Sequence, residues 1–492
     1  MNINLRKTTV DFDKNKLRLS YLYLFIGFIL LFFTNGRWIL PIAAFAAPIF
    51  LIRFLRFHTP LRGFLYLVIV GLVSNIFIWN NMIPVSGPFY YILMLMMSIF
   101  TSLPLIIDRF YSMRLQGIVS TFVLPSAYVV MEYITVYTNP SGSYGTLAHT
   151  QSSLPLLQLI SMTGIWGITF LILWTASVIN WLWDRDFNTQ ALRKSFWVYA
   201  VPVLIILLYG QIRLAHEIDG DTVRIASINI PKDGQWHVYQ DHPDSINEQL
   251  NKFFLDHCHV AALSKAKFVF GAEGFINISS EQENAYLERV KAAARKDSIY
   301  IGLPMLVYPV NNPNARPMNN ITWISPQGDI EFTYYKAKPT TGEGSYGDGV
   351  IRYFDSPYGR IGSAICFDMD FPSLLRQVHS LHIDIMTVPG NDWKDIAPYH
   401  TYVASFRAIE YGFNLVRSVS RGFSASFNYK GEKISSQNYF TTNDVIFYSD
   451  VPMKGCSTVY SHIGDAFAWC CILFFVSISV FVFKKRMKME RP

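Results

Sequence analysis

Hydrophobic and polar positions divide this chain into two kinds of territory. Apolar runs at roughly 19–34, 38–54, 63–79, 89–107, 116–137, 154–183 and 196–210 precede a long polar stretch, and another run follows it near 465–483. A helix needs about 20 residues to cross a bilayer core, so the pattern predicts about seven spans before the insert and one after it, the second and seventh short. Between about 220 and 455 the period shortens. Apolar strands such as Val223 to Ile230, Phe268 to Phe270, Ile299 to Leu303, Ile321 to Ser325, Phe332 to Tyr335, Ile361 to Cys366, Ile383 to Val388, Leu415 to Ser418 and Ser424 to Asn428 alternate with helical stretches near 243–264, 281–296, 371–380 and 398–412. That alternation predicts an α/β domain large enough for its own core. The expected division is a transmembrane domain over 1–214, a polar domain over 215–460, and a last helix with a basic tail over 461–492.

Charge gives the spans a direction. Arg6, Lys7, Lys14, Lys16 and Arg18 precede the first span, Arg53, Arg56 and Arg62 follow the second, Arg109 and Arg114 the fourth, and Arg185, Arg193 and Lys194 the sixth. The alternate loops 80–88 and 138–153 carry no Lys or Arg. Short basic loops stay in the cytoplasm, so the polar domain is expected outside and the tail from Lys484 inside. Without a small-residue cleavage pattern, the first span reads as a retained anchor. The net charge of +7 arises largely from these loops and the tail; it favours anionic lipid and gives no basic patch for nucleic acid. Five scattered cysteines suit neither a disulfide framework nor metal-ligand spacing, and no cofactor motif is present.

Three polar residues stand at the ends of apolar strands: Glu273 after Phe-Val-Phe-Gly-Ala, Lys336 after Phe-Thr-Tyr-Tyr, and Cys366 after Ile-Gly-Ser-Ala-Ile. Strand ends are where clefts form in α/β domains. Cys366 would sit where a strand stops and the helix opened by Phe371-Pro372 begins. A nearby carboxylate can take a thiol's proton, an ammonium can stabilise an oxyanion, and a thiolate can carry an acyl group. Each residue alone also reads as ordinary structure: a packed thiol, a capping carboxylate, a solvated lysine. His400 is the alternative base, and Lys338 competes with Lys336.

The order Glu, Lys, Cys, with Tyr334-x-Lys336, Gly342-Glu343 and Cys366-Phe-Asp-x-x-Phe-Pro372, resembles the nitrilase (carbon-nitrogen hydrolase) superfamily. Several spans before that domain and one after it resemble, within the superfamily, the apolipoprotein N-acyltransferases. The likeness extends to Asn391-Asp-Trp393, His400, Arg407-Ala-Ile-Glu410, Arg417, Gly422-Phe-Ser424, Glu132 and the segment 151–167. It implies an α-β-β-α sandwich, with Glu273 as general base, Lys336 as oxyanion stabiliser, Cys366 as nucleophile and Glu343 as a supporting carboxylate. This chain reads Gly271-Ala272-Glu273-Gly274 where the family usually has Trp-Pro-Glu-Thr, and Phe367-Asp368 where it has Tyr-Glu.

The resemblance implies an acyltransferase in the bacterial inner membrane. It would move a fatty chain from a phospholipid, through a Cys366 thioester, to the amine of a diacylated apolipoprotein, with aromatics such as Tyr346 or Trp393 at the lipid entrance. A membrane-tethered amidase using the same triad is the alternative enzyme. A silent scaffold sits poorly with three retained residues, and a transporter with spans whose main ionisable residue is Glu132.

Overall fold

The computed structural model describes residues 14–489 apart from 113, 116, 219, 233–243, 311–314 and 341. Arg6 and Lys7 lie outside the described residues. Backbone contacts group the chain into two units: a helical one, up to Ala215 and again from Ile463, and an α/β one, His216–His462.

In the helical unit, the described residues hold six helices long and apolar enough to cross a membrane: Pro60–Ile78, Pro88–Tyr111, Ile118–Thr138, Ile165–Trp183, Thr189–Ala215 and Ala466–Lys484. Two expectations need correction. The run 154–183 is not one helix: Leu154–Leu157 and Ile160–Thr163 are separate turns, and the chain breaks at Gly164, whose φ of +64° ends one helix and starts the next. The seventh span is not short, because it begins at Thr189, where the Asn188 side chain caps Ala191 N–H at 2.9 Å. Pro41–Arg56 remains a 16-residue helix, and Lys14–Leu31 opens on charged residues.

Helix Ile165–Trp183 is the hub, 83% of its window being buried against 11–44% for the other spans. Two buried carboxylates tie its surroundings together. Glu132 accepts from Leu147 N–H (2.8 Å) and the Thr169 hydroxyl (2.6 Å); Asp465 accepts from Trp166 Nε1 (2.8 Å) and the Tyr137 hydroxyl (2.5 Å). Each is bonded to the protein itself, so Glu132 serves packing rather than a transport path.

In the α/β unit, β1 (Thr222–Ile228), β2 (Phe268–Gly271), β3 (Ile276–Ser279), β4 (Tyr300–Tyr308), β5 (Met318–Ile324) and β6 (Ile330–Tyr335) belong to one sheet. β7 (Arg352–Ser356), β8 (Gly359–Ser363), β9 (Ile385–Asn391), β10 (Asn414–Ser420), β11 (Phe423–Phe427) and β12 (Lys433–Asn438) form the second, in the order 12-11-10-9-8-7. β13 (Ile446–Pro452) returns to pair antiparallel with β1, giving the first sheet the order 13-1-2-4-5-6 with β3 beside β4.

Alternation along the strands builds the layers. Val223, Ile225, Phe268, Phe270, Ile321 and Trp323 turn toward the second sheet and meet Ile361, Ile385, Leu415 and Phe427. Their neighbours Ala226, Ile228 and Val269 face the other way, against Leu250, Phe254 and Cys258 of helix Asp244–Leu263 and Tyr286 and Val290 of helix Glu283–Asp297. Helix Tyr399–Tyr411 covers the second sheet with Ala404 and Ala408. The result is the α-β-β-α sandwich, with several strand ends gathered at one edge.

Candidate active site

Glu273 lies two residues past β2, and its backbone N–H reaches Gly390 O at the end of β9 (3.4 Å), joining the two sheets at this point. Lys336 follows β6 directly. Its ammonium donates to Glu273 Oε1 (2.8 Å) and to Glu343 Oε1 (3.0 Å), with all three side chains essentially buried. Asn319, inside β5, donates its side-chain amide to the same two oxygens at 2.8 and 2.9 Å, and its backbone carbonyl accepts from the Lys336 backbone N–H. Thr340 N–H completes Glu343 at 2.9 Å. Lys338 is elsewhere, its ammonium 4.9 Å from the centre of the Phe371 ring.

Cys366 comes three residues after β8 and opens a five-residue 3-10 turn, Cys366–Asp370, before the short helix Pro372–Leu375; the single helix expected over 371–380 is broken into two. Its φ of +48° is left-handed, a conformation that costs a non-glycine residue about 1–3 kcal/mol. Asp368 holds it there, accepting from Ile365 N–H (2.9 Å), Lys338 N–H (2.7 Å) and the Tyr334 hydroxyl (2.8 Å). The cysteine turn is thereby tied to the segment carrying Lys336. Burial raises the Asp368 carboxyl to about 6 against the pull of these bonds.

Cys366 is buried. Burial and the charge of Glu273 push its thiol well above the ordinary value, against the lowering influence of Lys336 and Arg417. At rest it is a neutral thiol and needs a base to react. Burial works against the Lys336 charge too, but the carboxylates of Glu273 and Glu343 outweigh it and keep the ammonium protonated.

A second charged cluster lies on the other side of the thiol. The Cys366 sulfur, a His400 ring nitrogen and an Asp392 carboxylate oxygen fall within 4.8 Å of one another. His400 Nδ1 stands 2.8 Å from Asp392 Oδ1 and Nε2 stands 3.0 Å from Asp370 Oδ2. Arg417 Nη2 sits 3.1 Å from that Asp392 oxygen and 2.9 Å from His400 Nδ1. Both imidazole nitrogens face carboxylates, which leaves His400 poorly placed to take the thiol's proton. Thiolate, imidazole and carboxylate are donors zinc favours, but the fixed guanidinium charge already rests against two of the three. Burial lowers His400 and Arg417 adds to that, yet Asp392 and Asp370 prevail and hold it above its ordinary value; Asp392 is held below its own, Arg417 and His400 overcoming burial.

The structure thus brings Glu273, Lys336, Glu343 and Cys366 into one buried group. Asn319 and Asp370 were not anticipated. The signal for Asn319 was a polar pair, Asn319-Asn320, ahead of an apolar run: the expected strand began at Ile321, whereas β5 begins at Met318 and buries both. Arg407 and Glu410 form a buried ion pair within helix Tyr399–Tyr411 and act on that helix.

Known proteins align with both units. The carbon-nitrogen hydrolase family profile matches residues 222–459, and the apolipoprotein N-acyltransferase N-terminal domain profile matches 24–178. An apolipoprotein N-acyltransferase of Geobacter metallireducens is 24% identical over 405 residues, covering 75% of this chain and 76% of that protein. Apolipoprotein N-acyltransferase 2 of Treponema denticola is 23% identical over 400 residues, covering 68% and 72%. Among solved structures, an amidase from Nesterenkonia sp. superposes with a TM-score of 0.39 at 16% identity, over 48% of this chain and 93% of its own.

Proposed function

Because the chain belongs to the apolipoprotein N-acyltransferase family of carbon-nitrogen hydrolases, we propose that it transfers a fatty acyl chain from a phospholipid to the amine of a diacylated lipoprotein at the outer face of the cytoplasmic membrane. The observation that carries the chemistry is Lys336, clamped by Glu273 and Glu343 beside a cysteine held in a strained turn.

In the first half-reaction Glu273 takes the Cys366 proton and the sulfur attacks the ester carbonyl. The Lys336 ammonium faces the developing oxyanion. When the tetrahedral intermediate collapses, the carbon–oxygen bond breaks and Glu273 returns the proton to the departing lysophospholipid alkoxide. A thioester remains on Cys366. In the second, Glu273 accepts a proton from the lipoprotein's amine as its nitrogen attacks the thioester; the amide forms and the proton restores the thiol. A base is required because burial keeps the resting thiol neutral. Glu343 and Asn319 hold the lysine and the glutamate together while charge moves between them.

Both substrates are lipid-anchored, and each methylene withdrawn from the bilayer would cost about 0.8 kcal/mol, so an enzyme bearing its own spans meets them without extraction. Exposed Tyr346 and Trp393, the latter next to Asp392, are suited to guiding acyl chains.

Incubation of the purified full chain with phospholipid, followed by intact-mass measurement, should show one acyl adduct that is lost in Cys366→Ala. A diacylated lipopeptide should then discharge the adduct into a triacylated product. Persistence of the adduct in Cys366→Ala removes Cys366 from the role, and release of free fatty acid alone replaces the transferase with a hydrolase.

A further inference from the structure

Lys336 is not the only buried cation near the sulfur. Arg417 sits in the middle of β10, fully buried between β9 and β11, and its hydrogen bonds to Asp392 run through one nitrogen, Nη2, which also stands 2.9 Å from His400 Nδ1. Its Nε and Nη1 are also buried and have no hydrogen-bond partner among the described residues. Leaving donors unpaired in a protein interior is unfavourable, and here it leaves a buried cation with hydrogen-bonding capacity unspent.

That place adjoins the reacting group. Asp392 and His400, the two residues Arg417 touches, each present an atom within 4.8 Å of the Cys366 sulfur. Gly390 connects this cluster to the other side of the site: a Cβ there would lie 3.4 Å from Arg417 Nη2 and 3.6 Å from Nε, while the Gly390 carbonyl accepts the Glu273 backbone N–H. The sulfur therefore has Glu273 and Lys336 on the first sheet's side, and Asp392, His400 and Arg417 on the second sheet's side, with Glu343 behind Lys336 and Asp370 behind His400.

We propose that Arg417 is a positioning residue of the nucleophile: held by Asp392 beside His400, it supplies a second buried cation, from the second sheet, that stabilises the Cys366 thiolate when Glu273 withdraws the proton. The division of charge supports this. Asp392 is matched by Arg417 and Asp370 faces His400, while Lys336 is already engaged by two carboxylates. A thiolate formed there is offset by the positive member with donors to spare. The direction in which each neighbour moves the thiol agrees, Arg417 lowering its pKa and Asp392 raising it.

This reading rests on Cys366 as the nucleophile but not on the identity of the lipid substrates. The test is the pH dependence of Cys366 alkylation by iodoacetamide in the full-length protein, followed by peptide mass spectrometry. Arg417→Gln should raise the apparent thiol pKa by about one unit, which slows alkylation about tenfold below that pKa. Asp392→Asn, which leaves the guanidinium unopposed, should lower it. Arg417→Lys, which keeps the charge, should stay near wild type. Simple structural damage would not move the first two in opposite directions. Shifts of the same sign, or none in folded protein, overturn the proposal; should Arg417→Gln fail to fold, the sign for Asp392→Asn decides. Alkylation needs no lipid, so a failed lipopeptide assay alongside opposite shifts would reject the substrate assignment and leave this inference standing.

Discussion

At the scale of single residues, the site is a contest between burial and charge. Lys336 and His400 both lose water, and both end above their ordinary pKa because carboxylates within 3.0 Å outweigh the loss. His400 makes the balance measurable. Its folded pKa exceeds the unfolded value of about 6.5, so the stability it contributes is fully present below pH 6.5 and is lost as pH rises through the folded value, at about 1.4 kcal/mol for each unit between the two. Thermal unfolding of the purified protein should therefore fall in midpoint as pH is raised above 6.5. In His400→Asn that component of the slope should vanish, leaving a lower and flatter curve, and an unchanged slope would mean that His400 is neutral when folded. The sequence showed the charged residues at strand ends but not their pairing. The Tyr334-x-Lys336 spacing favoured Lys336 over Lys338 there, and the fold sends Lys336 into two carboxylates and Lys338 over Phe371.

Elements were legible where their interiors were continuously apolar. β2, Phe-Val-Phe-Gly, stands out as such a run, the first half of β4 was expected and its second half was not, β10 was recognised from Leu415-Val416 despite Arg417, and helix Tyr399–Tyr411 was expected within a residue of its ends. Edge strands were harder. β12, Lys-Ile-Ser-Ser-Gln-Asn, has one large apolar residue and is a strand because β11 offers it a partner. The break inside 154–183 was hidden because Ser161 and Thr163 are too few to interrupt an apolar run, so hydropathy sees one stretch while Gly164, at positive φ, ends one helix and starts another. That break has a packing consequence. Pro155 O in the first short turn lies 1.9 Å from where a Cβ on Gly210 would be, so the helix Val201–Ala215 meets it backbone to backbone. Gly210→Ala gains about 1 kcal/mol in helix propensity but collides with a carbonyl that cannot rotate away. The collision should win, costing a net 1–3 kcal/mol or so and lowering the melting temperature of the full-length protein. Leu208→Ala, at a position 60% exposed, is the control and should stay near wild type.

For the whole molecule the decisive quantity is the parity of membrane crossings. Five helices long and apolar enough to span precede the α/β unit, and two further helices, Lys14–Leu31 and Pro41–Arg56, come before those five. The pair enters the count together: the total before the α/β unit is five if neither crosses and seven if both do. Either number is odd, so with a cytoplasmic start and the two early helices behaving alike, we propose that residues 216–462 lie outside; only a crossing by one of the two alone reverses the side. The same holds for charge. Arg53, Arg56 and Arg62 fall on the cytoplasmic side in both cases, as do Arg185, Arg193 and Lys194, whereas 80–88 and 138–153, free of Lys and Arg, fall outside. Single cysteines placed at two exposed positions, Lys394→Cys and Arg193→Cys, in a chain whose five native cysteines are all replaced by alanine, should respond oppositely to a membrane-impermeant maleimide. In intact spheroplasts Lys394→Cys should label at once and Arg193→Cys only after permeabilisation. The reverse result would put Cys366 in the cytosol, where its acceptor could not be a lipoprotein already exported, and would require exactly one of the two early helices to cross.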